Sequence, residues 1–233
     1  MSSREEILER IREAMRYPAK HPGADHGLEG SADRDFQRWL PAVPEQHSER
    51  IASFARQSAD LKANFVQCID LAAARLRLSE IAKTEQWQLV AYQSNRLLIE
   101  LVRNLSIATL EISASVAIPE LEKATVGITL CDALIAQTGS ILLTARDAGG
   151  RALSVLPPHH VVVAHQSQLL PDLPAAFDLL HQRYGHKFPS FCTFVTGPSR
   201  TSDIERMLVL GAHGPKKLTI LFVAGEPWSN TAA

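Results

Sequence analysis

The chain has 233 residues, of which 45% are hydrophobic and 21% are charged, and its formal net charge is −1. This length is enough to bury one full core, and the composition is ordinary for a soluble globular protein. The near-zero net charge and the dispersed basic residues argue against nucleic acid or an anionic membrane as a partner.

The three cysteines, Cys68, Cys131 and Cys192, lie far apart in the chain. They form neither a disulfide framework nor a CxxC pair, so we expect a reducing compartment and no iron–sulfur or metal site in this chain. Glu5 and Glu6 occupy positions where a signal peptide requires an apolar run, and no apolar stretch reaches membrane-spanning length. We therefore expect a cytoplasmic protein.

The first element in the chain is a predicted amphipathic helix. Ser3 and Glu6 have capping-box spacing, and an apolar stripe follows them, formed by Ile7, Leu8, Ile11, Ala14 and Met15. From residue 17 to 47 the pattern dissolves into prolines and glycines. We expect residues 1–48 to form an arm whose apolar stripe packs on a second copy of the chain or on a partner protein.

Residues 49–233 are predicted to form one α/β domain. Its first part alternates helices (48–62, 71–84, 95–104) with strands (64–69, 88–92, 110–113). This alternation favours right-handed βαβ units in a single mixed, mostly parallel sheet with helices on both faces. Its second part has one helix, at 173–184, and short loops that predict an antiparallel component among the strands 133–136, 141–144, 160–164, 192–195, 208–210 and 218–223.

Three short polar turns follow apolar runs in this second part: Thr138-Gly139-Ser140, Gly197-Pro198-Ser199-Arg200 and His213-Gly214. Glycine and small hydroxyl residues let backbone N–H groups approach an anion closely, and open α/β sheets place ligands at such turns. We expect the turns to meet at one edge of the sheet and form a binding site. The alternative for the first turn is a tight connection whose hydroxyls bond only to local backbone.

Arg200 is the candidate anion clamp of the second turn. Ser202 and Glu205 have capping-box spacing, which predicts a helix that starts directly after Arg200 and brings Asp203 into the same motif. A guanidinium beside the positive end of a helix suits a carboxylate or a phosphate. The alternative is a surface ion pair of Arg200 with Asp203 or Glu205.

Histidines and a second arginine complete the candidate set. Arg151 is a second candidate anion contact, with a solvated loop arginine as its alternative. His213 lies between Gly211 and Gly214, and the interpretations are that it donates a proton to a ligand, as a histidine side chain is able to, or that it caps its own turn. The adjacent His159 and His160 point to opposite faces of a strand, so they do not converge on a metal.

A set of small and polar residues in the second half of the chain carries a family resemblance. In order they are Gly127-Ile128-Thr129, Asp132, Ala136, Gly139, Arg151, Leu156-Pro157, Gly197-Pro198-Ser199, Asp203-Ile204-Glu205, Gly211 and His213-Gly214-Pro215. With these residues the stretch from about 125 to 223 resembles the LUD domain, and the whole chain looks like the LutC (YkgG) type of lactate-utilisation protein.

The resemblance implies a fold related to ribose-phosphate isomerases, glucosamine-phosphate deaminases and CoA-transferases. It also implies membership in a bacterial system that oxidises L-lactate to pyruvate with two partner proteins that carry the iron–sulfur clusters. Family members commonly have a glutamate where this chain has Gln137. A carboxylate can act as a base or nucleophile, whereas an amide only forms hydrogen bonds, so the difference weakens any claim of acid–base chemistry.

The leading hypothesis is a subunit of the lactate-oxidising system that binds an organic acid or organises redox partners. The sequence has no flavin, nicotinamide or cluster motif, so we expect no cofactor in this chain and the iron–sulfur clusters on its partners. Whether the chain is itself an enzyme stays open. The alternatives are an isomerase-like or acyl-transfer enzyme that acts on a sugar phosphate or acyl-CoA, and a small-molecule sensor.

Overall fold

A computed structural model describes residues 3–14, 16, 40–112, 118–145, 150–185, 187–204, 207–210, 214–226 and 228. The chain divides into two compact units, Met1–Leu40 and Pro41–Ala233. The first unit contains helix α1, Ser3–Ala14, as its apolar stripe predicts. The side chains of Ile7, Leu8 and Ile11 are exposed along this helix.

The second unit is built on a parallel sheet. Its strands are β1 Asn64–Cys68, β2 Leu89–Gln93, β3 Ala108–Ile112, β4 Val126–Leu130, β7 His159–His165 and β12 Lys217–Val223. Within the described residues these six strands stand in the order β1-β12-β7-β4-β2-β3, and every neighbouring pair is parallel. The strands β4 and β7 are buried along their whole length, as expected for a sheet covered on both faces.

Two smaller sheets accompany the parallel one. Strands β5 Ala133–Ile135, β6 Ser140–Thr144, β8 Leu169–Leu170 and β9 Cys192–Val195 form a sheet in the order β8-β5-β6-β9, with antiparallel β5–β6 and β6–β9 pairs. Strands β10 Arg200–Ile204 and β11 Met207–Leu210 form an antiparallel pair.

The helices of the second unit are α2 His47–Asp60, α3 Leu71–Thr84, α4 Arg96–Val102, α5 Ile118–Leu121 and α6 Leu173–Tyr184. Side chains at the N-caps fix three of the helix starts: Asp70, Asn95 and Asp172 accept hydrogen bonds from backbone N–H groups of α3, α4 and α6. No helix in the described part of the chain is long and apolar enough to cross a membrane.

The alternation along β7 separates two apolar cores. Val161 and Val163 pack with α3 and α4 on one face of the parallel sheet. Val162 and Ala164 pack on the other face, with Phe54 of α2 and apolar residues of β5 and β6. The parallel sheet therefore has helices on one face and the β5–β6 sheet with α2 on the other.

The α/β class, the mostly parallel strands and the preceding helix are confirmed. The antiparallel strands, however, form sheets of their own and do not extend the parallel one. Leu134 of β5 packs toward the parallel sheet, while Ala133 and Ile135 pack against α6. Because both faces of β5 are apolar, the strand is buried between two layers instead of lying at a sheet edge.

The predicted helix start at Ser202 is wrong. Arg200–Ile204 is strand β10, in which Arg200 lies opposite Leu210 and Thr201 lies opposite Val209 of β11. Capping-box spacing is a local signal, whereas the apolar run of β11 supplies a partner strand a few residues later. Because no helix starts after Arg200, the inference that this arginine lies beside the positive end of a helix is also wrong.

Candidate functional site

A cavity of about 360 Å³ opens at the amino-terminal edge of the parallel sheet. The second residues of β7 and β12, His160 and Leu218, line one side of it. The residues of β9 from Thr193 to Val195 line another side. The cavity therefore lies between the parallel sheet and the β5–β6 sheet, at the end where the parallel strands begin.

Four of the residues that the sequence analysis selected line this cavity: Arg151, Gly197, Ser199 and Gly214. The turns that contain the last three touch each other, because the Ser199 backbone N–H donates to the Pro215 carbonyl oxygen at 2.9 Å. The guanidinium carbon of Arg151 lies 5.8 Å from the ring centroid of Phe191, which also lines the cavity. This contact holds the arginine beside the cavity.

The turn Gly197-Pro198-Ser199 requires glycine at its first position. Gly197 has a φ of 90°, and a Cβ atom there would lie 2.9 Å from the carbonyl oxygen of Leu61. A side chain is therefore excluded both by backbone conformation and by the close approach of Leu61, the residue directly after α2.

The turn Thr138-Gly139-Ser140 lies behind the cavity wall. Thr138 donates a hydrogen bond to the Ser140 hydroxyl at 2.8 Å, and that hydroxyl bonds to the Thr196 hydroxyl at 2.8 Å. Thr196 lines the cavity. A Cβ on Gly139 would lie 2.7 Å from Cβ of Gln57, so this turn packs against α2 and supports the cavity through Thr196.

The structure describes less of the three remaining predicted site residues, Arg200, Asp203 and His213. Arg200 and Asp203 lie on β10, directly after the cavity residue Ser199, and for these two residues the structure describes the backbone alone. His213 lies outside the described residues.

His160 is a cavity residue that the sequence analysis considered only as a metal ligand. Its Nε2 shares a hydrogen bond of 2.9 Å with the Thr129 hydroxyl of β4, and its Nδ1 is buried without a hydrogen-bond partner. Burial, and secondarily the neighbouring His159, lowers the pKa of His160 to about 3. The ring is therefore neutral near pH 7, and its Nδ1 is enclosed by the protein without a hydrogen-bond partner.

A signal for His160 was present in the sequence. A histidine near the start of a strand made of valines is buried once the strand is central in its sheet, and a buried ring nitrogen needs a partner. The partner Thr129, however, lies on the next strand of the sheet, so the strand order was needed to identify the pair.

A second cavity, of about 450 Å³, lies at the same edge on the opposite face of the parallel sheet. His159, Thr219 and residues at the end of α3 line it, together with Lys217, which forms an ion pair with Glu85. Burial lowers the pKa of His159 to about 4, with a smaller raising effect from Glu85 and a lowering one from Lys217. The described lining of this cavity includes none of the residues predicted to bind a ligand.

Gln137 occupies a structural position. Its side chain is buried, and its Nε2 donates a hydrogen bond of 3.0 Å to the Pro41 carbonyl oxygen. An ionised carboxylate has no proton to donate to that carbonyl, so the amide is the group that fits here.

Within the described residues, no group of three or more histidine, cysteine, aspartate or glutamate side chains is arranged to hold a metal ion. The buried Asp132 instead pairs with Arg183 of α6 at 2.8 Å and accepts the backbone N–H of Thr144 at 2.9 Å.

The model of the LUD domain family matches residues 51–223, which cover the parallel sheet and the cavity. The chain belongs to the LUD domain family. A solved structure of a DUF162 family protein from Deinococcus radiodurans shares the fold, with a TM-score of 0.62 and 20% identity over 77% of this chain and 99% of that chain.

Curated relatives of this LUD domain chain are named Lactate utilization protein C. The protein of Geobacillus sp. (strain WCH70) is 38% identical over 104 residues, which are 44% of this chain and 43% of the relative. The protein of Bacillus subtilis (strain 168) is 35% identical over 109 residues, 46% of this chain and 45% of the relative. The matched part of the chain thus spans less than half the length of these relatives.

Proposed function

We propose that this chain is a LutC-like subunit of a bacterial L-lactate oxidation system, in which iron–sulfur partner proteins take part in converting L-lactate to pyruvate in the cytoplasm. The observation that carries the proposal is the name shared by the relatives at 35% to 38% identity, Lactate utilization protein C. The matched region covers less than half of the length of these relatives, so the lactate-utilisation role is proposed for this chain and is not established by the match.

The cavity supports a binding role for the subunit. Among the described lining residues, Arg151 is the one charged side chain, and a guanidinium pairs well with a carboxylate. Three residues that carry hydroxyl groups, Thr193, Thr196 and Ser199, line the same cavity. In this proposal Arg151 binds an organic anion, and Arg200, Asp203 and His213 remain candidates for further contacts.

Growth of the source bacterium tests this role. Deletion of the gene should abolish growth on L-lactate while leaving growth on pyruvate unchanged, and the wild-type gene should restore it. Arg151→Gln should fail to restore growth, whereas Arg103→Gln, a matched change at an exposed arginine, should succeed. Normal growth of the deletion strain on L-lactate would contradict the proposal, and so would failure to capture an iron–sulfur protein with the tagged chain.

A second candidate function is a free-standing enzyme or sensor that binds an organic acid, a sugar phosphate or an acyl-CoA. The size and mixed lining of the cavity favour it, because 360 Å³ falls within the range of sites for small molecules. Turnover of such a compound by the purified chain alone would support an enzyme, and ligand binding without turnover would support a sensor. The LutC-like role requires no turnover by this chain alone.

A further inference from the structure

Strand β9 has one edge without a partner strand. It is the last strand in the order β8-β5-β6-β9, and within the described residues it pairs with β6 alone. The Ala145 backbone N–H donates to the Phe191 carbonyl oxygen, so these two opposite residues form a hydrogen-bonded pair of the antiparallel ladder. Because bonded and non-bonded pairs alternate, Thr193 and Val195 also bond to β6, whereas the N–H and C=O groups of Phe194 point away from it.

The backbone of this free edge contributes to the wall of the Arg151 cavity. Side chains alternate along β9: Val195 packs toward the parallel sheet, and the Phe194 ring packs on the opposite face, 5.5 Å from the Phe177 ring of α6. Phe194 nevertheless lines the cavity, so its backbone is the part that reaches it. The rest of the wall comes from β7, β12 and the segments that lead into them. One side of the cavity therefore carries backbone groups of β9 that have no partner among the described residues.

Arg151 and Ser199 mark the two ends of this wall. The Arg151 guanidinium lies beside the ring of Phe191, the residue directly before β9. Phe191 and Phe194 are about 10 Å apart along an extended strand, which corresponds to about three residues. Beyond the other end of β9, the Ser199 N–H is bonded to the Pro215 carbonyl oxygen. The wall therefore matches a short extended segment that lies beside β9.

The charges of the lining give the direction and the source of such a segment. Arg151 suits a carboxylate, so a carboxyl terminus lies at the Phe191 end and the segment runs antiparallel to β9. No acidic side chain is among the described lining residues, so a free amino terminus would have no counter-charge there. The segment is therefore the end of a longer chain, which leaves the cavity as uncharged backbone.

We infer that the cavity binds the carboxyl-terminal segment of a partner protein, which adds an antiparallel strand to the free edge of β9 and places its terminal carboxylate at Arg151. The inference rests on the proposed function and deepens it, because it identifies the organic anion of this site as a peptide terminus. Hydrogen bonds to the Phe194 backbone supply affinity, and the apolar wall formed by Val155, Pro198 and Leu218 favours apolar residues in the segment.

Calorimetric titration of the purified full chain with acetyl-Ala-Val-Leu, a capped tripeptide with a free carboxyl terminus, tests the inference. The analogue with a terminal amide should bind at least tenfold more weakly, because it loses the charge-assisted bonds to Arg151. N-methylation of one peptide nitrogen at a time should weaken binding at alternate residues only, by roughly fivefold, because every second residue of an added strand bonds to β9.

Variants of the chain assign the carboxylate contact. Arg151→Gln should weaken binding of the acid at least tenfold and leave binding of the amide unchanged, since the amide has no charge to pair. Arg103→Gln, a change at an exposed arginine outside the cavity lining, should leave both affinities unchanged. The contact to the Phe194 backbone needs no variant, because the N-methylated peptides test it in the wild-type chain.

A last comparison decides the source of the segment. The same three residues at the carboxyl terminus of a small carrier protein should bind as tightly as the capped peptide, and binding of the free peptide alone would overturn the partner-protein source. Equal effects of N-methylation at every position, or none, would overturn strand addition. If L-lactate binds with a need for Arg151 and no peptide binds, the inference is overturned while the anion site stands. Growth on L-lactate judges the LutC-like role separately.

Discussion

The amide of Gln137 makes a structural contact at a position where a carboxylate could have acted in catalysis. The side chain is buried and donates to the Pro41 carbonyl oxygen, and Oε1 has no hydrogen-bond partner. The resemblance to the LUD domain had suggested a functional position here, because family members commonly carry a glutamate. In this chain the amide makes a structural contact outside the cavity.

Gln137→Glu should lower the free energy of unfolding by about 1–3 kcal/mol at pH 8, because an ionised carboxylate loses the hydrogen bond to Pro41 and is buried. The difference from the wild-type chain should shrink toward pH 5 as the carboxyl group becomes protonated and able to donate. Urea unfolding of both proteins at each pH measures it. Gln137→Met, which removes the donor without adding a charge, should show no such pH dependence; equal stability of the glutamate variant and the wild type at pH 8 would contradict the assignment.

At the same scale, several residues selected from the sequence as candidates for ligand binding lie around one cavity, and their binding role stays a prediction. Arg151, Ser199 and Gly214 line one space although they are far apart in sequence. The contribution of His160 could not be deduced in the same way, since it depends on a hydrogen bond to Thr129 across neighbouring strands.

Among the elements, helix α6 is fastened to the β5–β6 sheet by a buried carboxylate. Asp132 is fully buried and lies 2.8 Å from Arg183 Nη1, and the Tyr184 hydroxyl approaches the same carboxylate at 3.3 Å. Arg183 is partly exposed, so water screens one side of the pair. We therefore expect the contribution of this ion pair to the free energy of unfolding to lie between that of a buried pair and that of a surface pair.

Arg183→Met should lower the free energy of unfolding by about 2 kcal/mol, because it leaves the Asp132 carboxylate buried with fewer partners. Arg77→Met is the matched control. Arg77 pairs with Glu80 on the surface of α3 with both side chains more than half exposed, so its loss should lower the free energy of unfolding less than the loss of Arg183 does. Equal losses for the two variants in chemical denaturation would show that Asp132 does not depend on Arg183.

Helices and parallel strands were largely predictable, because their signals are local. The predicted bounds of α3 and α6 match the structure, and each helix has an aspartate N-cap directly before an apolar periodic run. The division into several sheets and the β10–β11 pair were not predictable in this way. Both depend on which apolar faces meet after the chain has folded back, and capping-box spacing near Ser202 gave a misleading local signal.

For the whole molecule, two neutral histidines make stability depend on pH. The folded-state pKa values of His159 and His160 are about 4 and about 3, both lowered chiefly by burial, against 6.5 for the unfolded chain. Between these values the unfolded state binds more protons than the folded state, so stability is retained above about pH 6.5 and lost as pH falls.

The free energy of unfolding should therefore fall by up to about 1.4 kcal/mol per pH unit for each of the two histidines below pH 6. Denaturant titrations between pH 7 and pH 4 measure the slope. His160→Gln should reduce it, and His181→Gln, a change at an exposed histidine, serves as the matched control. A flat profile for the wild-type chain would contradict the neutral, buried state of these rings.

The N-terminal arm gives a second prediction for the whole molecule. Removal of residues 1–40 should leave a folded chain with a lower mass in light scattering, because the apolar stripe of α1 is expected to mediate association with a second copy or a partner. Removal through Val43 should cost about 1 kcal/mol more, since it deletes the carbonyl that accepts the Gln137 hydrogen bond. Unchanged mass together with unchanged partner capture would refute the role of the arm.

The adjacent histidines at the start of β7 also help to determine the register of this strand in the parallel sheet. The next three residues, Val161 to Val163, are identical, so both faces of β7 carry the same side chain there. Side-chain shape in this stretch therefore does little to distinguish the native register with β4 and β12 from a register shifted by one residue. His160 bonds to Thr129 on one face and His159 to Thr219 on the other. A shift of one residue in the pairing would move each histidine to the other face of the sheet and break both hydrogen bonds. The two pairs therefore favour the native register of β7 over the shifted ones.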